Sequence, residues 1–176
     1  MRIKFFDTSY VKKITDKIKR LKMNKEWTRQ IRIYLSEEFS KVARNAPNSS
    51  EIKSLQNVLK KYDASIKCQY DAFAGYVDEA EKAISNVTGT AKEAAVRQQY
   101  FLYEWTKATI ENPEKQAKYL KEFTVYVQGQ ETYDKDIADK LEAELMRLVD
   151  GSQITGVRNR DSNPVNNPQM PKKFRK

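Results

Sequence analysis

The chain has no histidine, which removes the side chain most used for proton transfer near neutral pH and the commonest metal ligand. Zinc sites and histidine-based triads are excluded with it. A single cysteine, Cys68, rules out an internal disulfide, and with no histidine to activate it the thiol reads as a small residue beside an apolar stripe. The five glycines, at 75, 89, 129, 151 and 156, are scattered and none precedes Lys-Ser or Lys-Thr, so no phosphate-cradling loop is present. No run approaches the roughly 20 apolar residues of a membrane span, and Met1-Arg2-Ile3-Lys4-Phe5-Phe6-Asp7 lacks the apolar centre of a secretory signal. The carboxylate pairs Glu37/Glu38, Asp78/Glu81 and Asp134/Asp136 lie off the apolar stripes, where solvated faces and helix starts account for them. Together these absences predict a protein that is not an enzyme, holds no metal or cofactor, and sits in the cytoplasm or within an assembled particle.

Apolar residues are also scarce. Without the ten Tyr and with the five Gly their share is about 36%, against roughly 45–50% in ordinary globular domains. Such a chain makes a thin fold or completes its core against a partner. Charge is abundant and unevenly placed: of a net +9, residues 1–50 carry +8, residues 51–150 carry −4 and residues 151–176 carry +5. Two basic ends flank a mildly acidic body, as in proteins whose termini meet an anionic surface.

The apolar pattern reads as helical throughout. From Ser50 to about Asn86, Ile52, Leu55, Leu59, Tyr62, Ile66, Tyr70, Phe73, Val77, Ala80 and Ile84 recur in steps of three and four. This spacing predicts one amphipathic helix of roughly 37 residues, about 55 Å long, in a chain whose compact radius of gyration would be near 16 Å. Two consecutive steps of four, at Tyr62, Ile66 and Tyr70, shift the stripe around that helix. Around it the pattern predicts helices over about 9–22, 24–44, 91–111, 113–128 and 133–149. The fourth is signalled by Thr90 and Glu93 as a capping box, the fifth by Asn112-Pro113-Glu114, and the sixth ends at Asp150-Gly151. From Ser152 onward prolines and polar residues predict an unstructured tail.

The expected architecture is all-α: an elongated bundle of five to six helices (9–150) built around one long central helix. An extended N-terminal arm (1–8) and a basic unstructured tail (151–176) flank it. Its expected role is that of a structural or adaptor subunit, oligomeric in context, in a larger protein assembly such as a virus or phage connector. It would reach neighbouring subunits through Phe5 and Phe6 in the arm and through Arg158, Arg160, Lys172, Lys173, Phe174, Arg175 and Lys176 in the tail. The alternative is a nucleic-acid-binding accessory protein. Lys12, Lys13, Lys19 and Arg20 would form one basic face, and Arg29 and Arg32 would lie beside the rings of Trp27 and Tyr34. Helix 9–22 as a basic amphipathic helix on anionic lipid ranks third, because its apolar face is small.

Overall fold

The computed structural model describes residues 28–161. The arm, the helix expected over 9–22 and the end of the tail lie outside the described residues. What is described is a mixed α/β fold, which corrects the all-α expectation. A four-stranded sheet is formed by β1 (Arg29–Leu35), β2 (Ala64–Cys68), β3 (Glu122–Val127) and β4 (Ile154–Asp161). Seven α-helices accompany it: α1 (Glu37–Asn45), α2 (Lys53–Lys61), α3 (Gln69–Ser85), α4 (Glu93–Gln99), α5 (Tyr103–Ile110), α6 (Pro113–Tyr119) and α7 (Lys135–Met146).

The four strands are where the helical reading fails, and each failure has a local cause. In β1, Ile31, Ile33 and Leu35 are buried while Gln30, Arg32 and Tyr34 are less so. The helical reading used Ile31 and Leu35, four apart, and left Ile33 without a place. In β2 the shift of the supposed stripe at Tyr62, Ile66 and Tyr70 marks a real break. Asp63 has φ 49°, which stops α2, and the chain then alternates Ala64, Ile66 and Cys68 against Ser65 and Lys67. The long central helix is therefore α2, a strand and α3. β3 is buried on both faces apart from the half-buried Tyr126, so it shows no alternation by which to tell it from the end of a helix. β4 begins inside the stretch expected to be unstructured. The carboxylate of Asp150 accepts the backbone N–H groups of Ser152, Gln153 and Ile154 at 2.8–3.2 Å, and Gly151 takes φ 75°, so the chain turns straight from α7 into the strand. These bonds hold the Asp150 carboxyl below the usual carboxylate range, the one from Gln153 most.

Several helix signals hold. Asn112 caps α6 by accepting from Lys115 N–H at 3.0 Å, with Pro113 in the first turn. Ser36 caps α1, which carries Glu37 and Glu38 in its first turn. The Thr90/Glu93 box forms in altered register: Glu93 accepts from Gly89 N–H at 2.8 Å, and Thr90 Oγ1 from Lys92 N–H. The single helix expected over 91–111 breaks at Tyr100–Leu102 into α4 and α5.

The sheet order is β2-β3-β1-β4 with every neighbouring pair antiparallel. β1 and β2 thus run parallel with β3 between them, as do β3 and β4 with β1 between them. These are two interleaved split β-α-β units. The helices of those units, α1 and α2 in one and α7 in the other, cover one sheet face. Phe39, Leu55, Leu59, Leu141 and Leu145 pack there on Ile31, Ile33, Phe123 and Val125. Tyr133 locks this core: its hydroxyl donates to the Val125 carbonyl at 3.3 Å and accepts from Ile31 N–H at 3.2 Å. Burial pushes its pKa up to about 12. Tyr133→Phe should cost about 1–2 kcal/mol in denaturant unfolding. Because the folded pKa lies above the unfolded one, the stability held by the neutral phenol is complete below pH 10 and lost as pH rises toward 12. The variant should show a flatter decline across that window.

Between β2 and β3, residues 69–121 insert α3 to α6. This helical insert has a small core of its own, with Val77, Ala80 and Ile84 on α3 and Thr106 and Thr109 on α5 buried. Polar ties bind its helices: Tyr103 Oη and Lys107 Nζ both donate to Glu81, at 3.0 and 2.7 Å, and Tyr100 Oη to Glu79 at 2.9 Å. The insert lies against the second face of the sheet, over β2 and β3.

Candidate functional site

The second face of the sheet is set by strand alternation. β1 contributes Gln30, Arg32 and Tyr34; β3 contributes Glu122, Thr124 and Tyr126; β2 contributes Ser65 and Lys67; β4 contributes Gly156, Arg158 and Arg160. In register, Arg32 stands directly opposite Arg158, and Gln30 opposite Arg160. Like charges facing each other across a strand pair destabilise a sheet. One of the three is compensated. Arg32 donates to the Glu122 carboxylate, whose side chain is only 4% exposed, and through Nε to Gln30 Oε1 at 2.8 Å; Gln30 in turn donates to Glu131 at 2.6 Å.

Arg158 and Arg160 make no ion pair among the described residues, and the Nε of Arg160 is buried without a hydrogen-bond partner. The Arg160 guanidinium is pushed below the usual arginine range, by desolvation first and then by Arg32 and Arg158. Of the three guanidinium groups only Arg32 contacts the Glu122 carboxylate, and a second carboxylate, Glu131, is tied to this face through Gln30. Tyr34 and Tyr126 lie on the two central strands of this face, and a Cβ on Gly156 would meet the Tyr34 ring at 3.7 Å, so that ring lies across β4.

Toward β2 the face runs under the insert, and between them lies a half-open cavity of about 240 Å³. Phe73 and Tyr76 of α3, Trp105 of α5 and Tyr126 of β3 supply its rings, Gln69 and Thr124 its polar floor, and Lys67 stands on its lining with an exposed side chain. Phe73 meets Trp105 edge-on at 6.3 Å and Tyr119 at 5.1 Å, which fixes the aromatic wall. Tyr126 joins the cavity to the arginines: Arg32 and Glu131 both act on its hydroxyl, whose pKa burial raises.

The residues singled out from sequence are redistributed. Arg32, expected to contact nucleic acid, and Arg158 and Arg160, expected in a protein-binding tail, share one face of the sheet. Arg29 does not join them. It alternates to the other face, where its charge helps hold the Asp139 carboxyl low, behind the nearer effect of Lys135. Phe5, Phe6, Lys12, Lys13, Lys19, Arg20, Trp27, Lys172, Lys173, Phe174, Arg175 and Lys176 lie outside the described residues. Cys68 is buried, and its thiol donates to the Tyr119 carbonyl at 3.5 Å. Burial pushes that thiol up, away from a reactive thiolate.

Sequence reading missed Lys67, Gln69, Tyr126 and the role of Trp105 and Phe73, which helical periodicity had assigned to core. The signal was available in Val157-Arg158-Asn159-Arg160, where two arginines alternate with residues of the opposite face. Asn159 indeed turns to α7, donating to Asp139 at 3.2 Å and Glu142 at 2.9 Å. Among the described residues no group of three or more Cys, Asp or Glu side chains converges as a metal ion requires, and no helix is long and apolar enough to cross a membrane. Comparison with protein families, with curated proteins and with solved structures finds no match to this chain.

Proposed function

We propose that the protein binds single-stranded nucleic acid on the second face of its sheet. The observation that carries this reading is the Arg32–Arg158–Arg160 cluster, set beside the rings of Tyr34 and Tyr126, in which only Arg32 is ion-paired among the described residues. Phosphate oxygens would relieve the repulsion among the guanidinium groups and supply acceptors for Arg158 and Arg160. Half-buried rings on the central strands of a four-stranded sheet can stack on unpaired bases through the face they leave open, whereas in a duplex those base faces are already occupied. The second reading, an adaptor that docks through its body and terminal arms, has no observation among the described residues that favours it over the arginine face.

The test is fluorescence anisotropy of the full chain with a labelled random-sequence 12-mer. With about three phosphates neutralised by the sheet face, the slope of log affinity against log salt should be at least about −2, steeper if the basic ends add contacts. A duplex of equal length should bind about tenfold more weakly at matched salt. Absence of binding below about 100 μM at low salt, where even unspecific contacts register, would overturn the reading. Nuclease-resistant capture of a protein partner through residues 1–27 or 162–176 alone would restore the adaptor in its place.

A further inference from the structure

We infer that the cavity between α3, α5 and the sheet is a base-binding subsite, which receives one nucleobase turned out of a strand whose phosphates run over Arg158 and Arg160. This rests on the nucleic-acid reading above and gives it a specific geometry. Size is the first argument. A volume of about 240 Å³ lies below the roughly 300–1,000 Å³ of pockets for drug-sized ligands, so the cavity suits a single ring system rather than a multi-ring cofactor.

Shape and chemistry are the second. Aromatic rings close on the space from two helices and from β3, as sites that hold an extruded base between side chains require. At its floor Gln69, 8% exposed, accepts from Thr124 Oγ1 at 3.1 Å through Oε1. Its amide N–H groups are donors on the cavity lining, and a base edge offers carbonyl and ring-nitrogen acceptors to such donors. Continuity is the third argument. Tyr126 lines the cavity and feels the charge of Arg32, so the arginine face and the cavity share a wall; Lys67 and Glu131 also stand on the cavity lining.

The chain has two tryptophans, Trp27 and Trp105, so Trp27→Phe makes the emission report on the cavity alone. The full-length variant is titrated with a random-sequence single-stranded 12-mer and with an abasic 12-mer of the same backbone. Anisotropy on the unmodified chain runs in parallel. Trp105 should be quenched saturably by the base-bearing strand and not by the abasic one, and the abasic strand should bind about tenfold more weakly with the same salt slope. Gln69→Leu should weaken the base-bearing strand about tenfold and leave the salt slope unchanged, since no phosphate contact is lost. Salt-dependent binding of both strands with equal affinity and unaltered Trp105 emission would overturn the subsite while leaving the arginine face standing. No anisotropy change with either strand would overturn both.

Discussion

The protein carrying Arg158→Glu and Arg160→Glu is expected to bind a single-stranded oligonucleotide at least about 100-fold more weakly than the unmodified chain at 50 mM salt. Each arginine is assigned at least one charge-assisted hydrogen bond to phosphate, worth about 1.5–3 kcal/mol, and each tenfold in affinity corresponds to about 1.4 kcal/mol. Reversal removes both bonds and adds repulsion. The salt slope should become shallower by about 1.4, as two phosphate contacts vanish. Unfolding does not supply an alternative explanation. Arg158 is exposed and Arg160 half-buried on an edge strand, where a glutamate opposite Arg32 replaces a repulsive cross-strand pair by an attractive one and loss of Arg160 removes a buried Nε that has no partner. The melting temperature should therefore stay level or rise. Affinity within about threefold of the unmodified chain would remove the arginine face from the mechanism.

The second large effect concerns stability. Glu122→Ala is expected to cost about 3–5 kcal/mol, because it strands the Arg32 guanidinium, 16% exposed at its side chain, beside two other arginines. Against a total stability of about 5–15 kcal/mol this is a large share, and the melting temperature should fall by about 10 °C. The buried pair is not itself the source of stability, since its desolvation offsets much of its attraction. Replacing both partners, Arg32→Leu with Glu122→Leu, should accordingly recover most of the loss while still weakening oligonucleotide binding. A single variant costing less than about 1 kcal/mol would mean that water reaches Arg32 well enough to stand in for the carboxylate.

The candidate site was partly legible in the chain. Its cations are visible in the sequence, but nothing local links Arg32 to Arg158 and Arg160, so the sequence pattern points them at different partners. They meet only through the β1–β4 register, which is fixed by backbone hydrogen bonds between segments at opposite ends of the described chain. Arg29 and Arg32, three residues apart, would share a face on a helix. On a strand the same spacing puts them on opposite faces, and a single change of period reversed that assignment. Phe73 and Trp105 were recognised as inward-facing. That they face a cavity and not a filled core depends on how far α3 and α5 stand from β3, which periodicity does not encode.

By itself the sequence determined which chemistry is excluded: without histidine and with one cysteine there is no His-based catalysis and no internal disulfide. It also determined where helices start at Asn112-Pro113 and where α7 gives way near Asp150-Gly151, because caps and breakers act through bonds within a few residues. It marked Ile31, Leu55, Leu59, Val77 and Leu141 as inward-facing, because burial follows from side-chain hydrophobicity whichever backbone carries it. Only the tertiary structure decided that 29–35, 64–68, 122–127 and 154–161 are strands. Short apolar runs satisfy a helical or an extended period about equally, and an extended segment gains its hydrogen bonds only from partners distant in the chain. The arginine face and the cavity both depend on that decision.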